Sequence, residues 1–469
     1  MKTTALALLA TASVALAQAS DVCEAQRVLA PPDVPTVSFN ATAITNGRHW
    51  FLSASQASTL CPGAPISCAT GAVFVYELDG NEQLVHVQTI VPHDVRLYDG
   101  FGISMDVDGD RLIVGALNTQ WPGSELRQGA VFVYEHDGEE WVEVARIRPP
   151  DEVRQEFGVS LLLDGDMALA KQLSVDRVHR YARSPEGWTW VESVQSPDGL
   201  PGNSCFGCTS ATGNGWLFFG AHRDGSLVRD GGSVYVYRRH ADGTLEFAQK
   251  IASADVSLFG NGLDFDGTTL AVGAIATNRT HTGQGVVRTY TLVDGAWTLE
   301  QEITHRRARQ MSRLGSHVHI SGATLYATAM GDTVYRPQRI RGMTYVFQRD
   351  ATGQWVETRR LLPNPPGRTD QYGTAIASAG SKVLVESRLD WVPDRGTTGA
   401  AYLFDLDVDP GCIPCRADLD GDGVVTIFDF LEFQNLFAAG DLRADFDGDG
   451  RLTALDYLFY EAAFLDGCD

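Results

Sequence analysis

Apolar and polar positions alternate with a period of two along most of this chain, and glycine-containing turns break the alternation at regular intervals. Residues 101–148 show the unit most clearly. FGISMDV runs into an Asp108-Gly109 turn, DRLIVGA follows, a polar loop leads to GAVFVYE, and after Asp137-Gly138 comes WVEVARI. β-branched and aromatic residues dominate each segment and Asp-Gly accepts the positive φ of a tight hairpin, so the pattern predicts four antiparallel strands. One such meander cannot bury its own faces and requires neighbours.

The chain supplies them. An aromatic-Gly or Leu-Gly pair recurs at Phe101, Phe157, Phe206, Phe259, Leu314 and Tyr372, with spacings of 56, 49, 53, 55 and 58 residues. Turn dipeptides follow at Asp108-Gly109, Asp164-Gly165, Asn214-Gly215, Asp266-Gly267, Ser321-Gly322 and Ala379-Gly380. An earlier copy, residues 41–91, lacks the Phe-Gly pair but keeps Asn46-Gly47, WFLSA, GAVFVYE and Asp79-Gly80. Seven four-stranded units of this period predict a mainly β fold, a seven-bladed β-propeller over residues 18–408. The last copy has no fourth strand after GAAYLFDLD (399–407), whereas AQRVLAPPD (25–33) matches the closing VARIRPPD (144–151) and VQTIVPHD (87–94). The N-terminal strand is therefore expected to complete blade seven and remove the last open sheet edge.

The FG and GA(V/Y)xVY signatures resemble the FG-GAP repeats of the integrin alpha-subunit propeller, over roughly residues 24–407. The resemblance implies that ligands dock on the face carrying the loops between strands two and three and the connections from strand four to the next blade. Metal-binding members of that family carry a longer acidic loop between the first two strands. Here Asp106-Val-Asp108-Gly-Asp110 is short and its counterparts are mostly non-acidic, so a plain hairpin is expected.

Residues 1–17, MKTTALALLATASVALA, have one Lys, an apolar run and an Ala15-x-Ala17 end, which reads as a secretory signal peptide. No Cys directly follows that cut and no later apolar run reaches the length of a membrane span, so a secreted, surface or periplasmic protein is expected. The eight cysteines fit an oxidising compartment. Cys61 with Cys68 and Cys205 with Cys208 are close enough to pair locally. If strand 25–30 lies against 399–407, Cys23 meets Cys412, which leaves Cys415 for Cys468. Zinc is a weaker reading of the two C-x-x-C pairs, which lie in different modules.

Net charge is 37 − 59 = −22, and residues 412–469 hold 13 acids against 3 Arg. This balance does not support nucleic-acid binding. The acidity is concentrated in a C-terminal module, residues 409–469, with two twelve-residue loops, DLDGDGVVTIFD from Asp418 and DFDGDGRLTALD from Asp445. Asp418, Asp420, Asp422, Val424, Thr426 and Asp429 occupy positions 1, 3, 5, 7, 9 and 12 of an EF-hand-like calcium loop; Asp445, Asp447, Asp449, Arg451, Thr453 and Asp456 repeat the set. Two Ca2+ ions are expected. Position 12 is Asp where an EF-hand usually has Glu, which keeps a carboxylate at the closing position. One amphipathic helix follows each loop.

Loop then helix, twice, 27 residues apart, resembles a dockerin, and the flanking PGCIPC and Gly467-Cys468 resemble its GC-type variant. This implies docking to a cohesin-like or other envelope protein. At positions 10 and 11, where cellulosomal dockerins often carry small polar partner-reading residues, stand Ile427-Phe428 and Ala454-Leu455. They form either an apolar docking face or part of the core between the helices.

On the propeller's loop face, Arg306, Arg307, Arg309, Arg313, Arg336, Arg339 and Arg341 form a candidate rim for an anionic glycan or protein ligand, against the alternative of a solvated loop pairing with Asp332 and other acids. His317 and His319 share a strand face as a candidate metal pair or as ordinary strand residues. Trp121 and Trp391 could stack on sugars or cover apolar surface. No G-x-S-x-G, H-E-x-x-H or P-loop occurs, so a non-catalytic binding or adhesion protein is expected. The alternative is a secreted carbohydrate-active hydrolase or lyase, with Asp390 and Asp394 as a candidate carboxylate pair.

Overall fold

The computed structural model describes residues 20–407 apart from 32–33, 35–38, 40–41, 61–66, 95, 97, 152–155, 174–175, 201–203, 278–280, 307, 336–338, 364–368, 393–395 and 398. It also describes 417–466 apart from 418, 420–424 and 447–450. Each predicted meander forms one sheet with its strands in chain order, as in blade two, which runs Phe101–Asp108, Arg111–Ala116, Ala130–His136 and Trp141–Ile147. The seven blades cover residues 43–90, 101–147, 157–194, 209–252, 259–303, 314–362 and 369–405. Their first strands touch in succession around the centre, and blade seven meets blade one.

Closure is as the sequence predicts. Gln26–Val28 pairs antiparallel with Ala400–Asp405, with Arg27 opposite Tyr402, and supplies the fourth strand of blade seven. One addition was not legible: Ser20–Cys23 runs parallel to the outer strand of blade six, Trp355–Leu362, so the N-terminal segment spans the junction of blades six and seven. Four residues are too few to show a period.

The core lies between blades. Leu112, Val114 and Phe132 of blade two pack with Phe51, Val73 and Val75 of blade one, and Val28, Leu384 and Leu403 of blade seven pack with Trp50, Leu52 and Phe74 of blade one. Second and third strands are covered on both faces and read as continuous apolar runs, whereas outer strands alternate and leave Val142 and Val144 exposed.

The geometry explains the repeat signature. Gly129 before the third strand has φ 87°, and a Cβ there would lie 2.4 Å from the carbonyl oxygen of Phe157 in the next blade; at Gly342 the corresponding distance, to Tyr372, is 2.0 Å. The FG and GA motifs are thus two sides of one interblade contact, which only glycine permits. A second device was missed from sequence. The amide of Gln88 in blade one takes the Trp141 N–H at 2.8 Å and donates to its carbonyl at 2.9 Å in blade two. Gln249 does the same to Trp297, Gln301 to Trp355, and Gln26 to Leu84. The closing junction therefore uses the same bridge as three other junctions. Its sequence signal, a Gln about one blade before the residue that opens the next fourth strand, is visible only once register is known.

In the C-terminal module, α1 (Ile427–Ala439) and α2 (Ala454–Asp466) pack through Phe433 and Tyr460, equivalent residues of the two repeats, stacked at 4.0 Å. Phe446, Leu436 and Ala463 complete that core.

Candidate functional site

The two loop-helix repeats begin their helices in the same way. Thr426 caps α1, its hydroxyl taking the Phe428 N–H, while Asp429 reaches back to the Thr426 N–H at 2.7 Å. Thr453 and Asp456 repeat this, with Asp456 taking the Thr453 N–H at 2.6 Å and Thr453 the Leu455 N–H. This reciprocal capping satisfies backbone donors at the helix start. The other oxygen of Asp429 accepts from Leu419 N–H at 2.7 Å, so this carboxylate joins the entrance of its loop to the exit. Asp429 and Asp456 are fully buried, Asp445 is nearly so, and the Arg451 side chain points to solvent, leaving its carbonyl for the loop. Buried carboxylates held by backbone donors at equivalent positions fit a hard, oxygen-seeking cation. Asp418, Asp420, Asp422, Val424, Asp447 and Asp449 lie outside the described residues.

The question left open for Ile427 and Phe428 has a clear answer: both are exposed, Phe428 at 67%, as are Ala454 and Leu455. Leu431 and Leu458, one turn further, are exposed too. The helices bury Phe433 and Tyr460 against each other and turn these apolar residues outward.

On the propeller, Asp108-Gly109-Asp110 is the plain hairpin turn expected. Asp106 accepts N–H bonds from Val107 and Leu163, and Asp108 from Gly165, so these carboxylates join blades two and three. The candidate metal pair is not assembled: His319 uses both ring nitrogens between blades, on Asp264 and Ser378 at 2.8 Å each, and burial pushes His317 down to about 4. Nor is Asp390 a reactive carboxylate. It is 0% exposed and receives Arg27 at 2.7 Å and the Tyr402 hydroxyl at 2.5 Å, which makes it the anchor of the closing strand; Asp394 lies outside the described residues.

Trp121 covers the blade-two core and donates its indole N–H to Gly129 O at 3.0 Å; the Trp391 side chain lies outside the described residues. In the arginine rim, Arg306, Arg309 and Arg313 are exposed, and Asp332 is buried against the Tyr345 hydroxyl. Arg307, Arg336 and the side chains of Arg339 and Arg341 lie outside the described residues. Cys205 and Cys208 are joined, with sulfurs 2.04 Å apart, while Cys61, Cys412, Cys415, Cys468 and the side chains of Cys23 and Cys68 are not described.

The architecture is that of a seven-bladed propeller followed by a small module of two loop-helix repeats, and comparisons with known proteins find similarities in both parts. Residues 84–134 match the FG-GAP repeat and 416–465 the dockerin type I domain, a kind of domain that generally binds calcium and docks to cohesins. The chain is 31% identical over 150 residues to integrin alpha-7 of Rattus norvegicus, a stretch covering 30% of this chain and 13% of that protein. Integrin alpha-7 of Mus musculus matches at the same identity over 12% of its length. The aligned stretch thus spans about an eighth of these relatives. Among solved structures, a protein from Lactobacillus plantarum aligns with 76% of this chain and 92% of its own, at 13% identity and a TM-score of 0.48. A candidate 6-phosphogluconolactonase from Bacteroides uniformis aligns over 67% and 83%, at 13% identity and a TM-score of 0.42. Among the described residues no helix is long and apolar enough to cross a membrane.

Proposed function

We propose that this is an exported, non-catalytic binding protein whose C-terminal module, loaded with two Ca2+ ions, docks to a cohesin-like partner or another envelope protein. Its propeller presents a ligand-binding face formed by the loops. The observation that carries the docking role is the matched pair of exposed apolar faces, Phe428 and Leu431 on α1 with Leu455 and Leu458 on α2, standing beside buried loop carboxylates. Large exposed apolar residues grouped on rigid helices mark a partner surface. Calcium sets the loops that hold both helix starts, which links cation binding to presentation of the face.

The test is capture of secreted and envelope proteins by the full chain, with calcium and with chelator. Calcium-dependent capture of a partner, weakened at least tenfold by Phe428→Asp with Leu455→Asp, is expected. Equal capture by that variant would remove the assigned face. Exposed Arg306, Arg309 and Arg313 make the rim available to an anionic ligand; an unchanged response of a sulfated-glycan array to Arg309→Ala with Arg313→Ala would remove that role.

A further inference from the structure

In three blades the same buried group closes the loop face. An Asp just past the part of the second strand that pairs with the third accepts the hydroxyl of a Tyr on that third strand: Asp224 from Tyr235 at 3.3 Å, Asp332 from Tyr345, and Asp390 from Tyr402. A basic residue of the fourth strand stands opposite each Tyr, namely Lys250, Arg360 and Arg27. Lys250 and Arg27 bond the carboxylate at 2.8 and 2.7 Å.

Blade two departs at two of these places. Phe132 stands for the Tyr and Thr119 for the Asp, while Arg146 still lies opposite Phe132. Thr119 makes the same turn as Asp224 and Asp332, its N–H bonded three residues back to Ala116. With no carboxylate to meet it, Arg146 turns to Asp94, both nitrogens at 2.7 Å, and to Glu143. What the Tyr hydroxyl and Asp carboxylate occupy elsewhere is here a cavity of about 90 Å³.

Two of its lining residues, Asp99 and Thr119, only 3% and 8% exposed, each carry a buried side-chain oxygen without a protein partner, Oδ1 and Oγ1. Asp99's other oxygen accepts the Arg96 N–H at 2.8 Å, and burial raises its pKa. An unmatched buried carboxylate oxygen is costly and calls for a donor. The wider lining consists of Arg96, Gln120, Trp121 and Pro122, with Arg96 bonded to Gln120 at 2.8 Å.

We propose that this blade-two cavity is a subsite for a neutral saccharide, which inserts a hydroxymethyl group or a pair of adjacent ring hydroxyls to donate to Asp99 and to exchange a hydrogen bond with Thr119. The inference rests on reading the loop face as ligand-binding. The charge pattern selects against the alternatives. Arg146 is matched by Asp94 and Glu143, and Asp99 lies within the field of Arg96 and Arg127, so the site as a whole offers an anion no excess positive charge; a metal ion would find one carboxylate oxygen, because Asp94 is committed to Arg146. A cavity of this size holds several waters, which the edge of a sugar would displace.

The test is calorimetry of the full chain, in calcium, with a panel of neutral monosaccharides and their methyl glycosides and a parallel panel of uronic acids. Saturable binding of a neutral sugar is expected. It should be lost at least tenfold in Phe132→Tyr with Thr119→Asp, which rebuilds the group found in blades four, six and seven and fills the cavity without removing core. Asp99→Ala should weaken it similarly. Binding of uronic acids alone, binding retained by the filled variant, or no saccharide binding would each overturn the subsite, as would a sugar-soaked crystal with only water against Asp99. Partner capture through Phe428 and Leu455, measured on the same variant, fails only if the docking proposal itself fails.

Discussion

The propeller and the C-terminal module both solve the problem of a repeat too small to fold alone, by different means. In the propeller each blade lends its faces to the next, with glycine contacts and, at four junctions, glutamine bridges, so stability is spread around a ring and closed by Gln26–Val28. In the module two repeats meet at one aromatic stack, Phe433 on Tyr460, while their acids gather in two loops with four Asp each. Apolar contact between two short helices is small, and clustered carboxylates oppose it unless a cation offsets them. On the proposed reading the ring carries its own stability, and the module is expected to need a cation.

The largest expected effect of that difference is chelation. Removing calcium should melt the helices Ile427–Ala439 and Ala454–Asp466 while the propeller's β signal persists, seen as two separate calorimetric transitions of which one moves. A single transition indifferent to chelator would erase the distinction. The next effect lies wholly in the ring. Asp390→Ala leaves Arg27 and Tyr402 facing an uncompensated hole at the closing strand and should cost about 3 kcal/mol in urea unfolding of the propeller, with the module's transition unchanged.

The smallest, reckoned per pH unit, is a pH slope. Burial lowers His305 and His179 to about 4, below the unfolded value near 6.5, so the unfolded chain binds more protons between these values. Propeller stability should fall as pH drops from about 6.5 to 4, by up to roughly 1.4 kcal/mol per pH unit for each such histidine. His305→Phe, whose ring would keep the contact with Tyr345, should flatten the slope; an unaltered slope would place the effect elsewhere.

Much of the architecture was legible because it is periodic. Repeats of FG, GA and Asp-Gly report local φ and alternation, which neighbouring residues decide, and the incomplete seventh copy pointed to its partner at residues 25–33. The loop-helix pattern was equally local, with Thr426 and Asp429 three residues apart and repeated at Thr453 and Asp456. The candidate sites on the propeller were less legible. Asp390 looks like a loop carboxylate until Arg27, 363 residues away, arrives on it, and His319 looks free until Asp264 and Ser378 are placed beside it.

From the sequence alone came the blade count, the closing strand, the acidic loops and the helices that follow them, because each is set by spacing along the chain. Only the tertiary structure decided that Phe428 and Leu455 face outward, that Asp390 anchors rather than reacts, and that Phe132 with Thr119 opens a cavity over Asp99. Those outcomes depend on which side chains distant segments bring to the same point, and burial, partner and charge balance are properties of that point rather than of any stretch of chain.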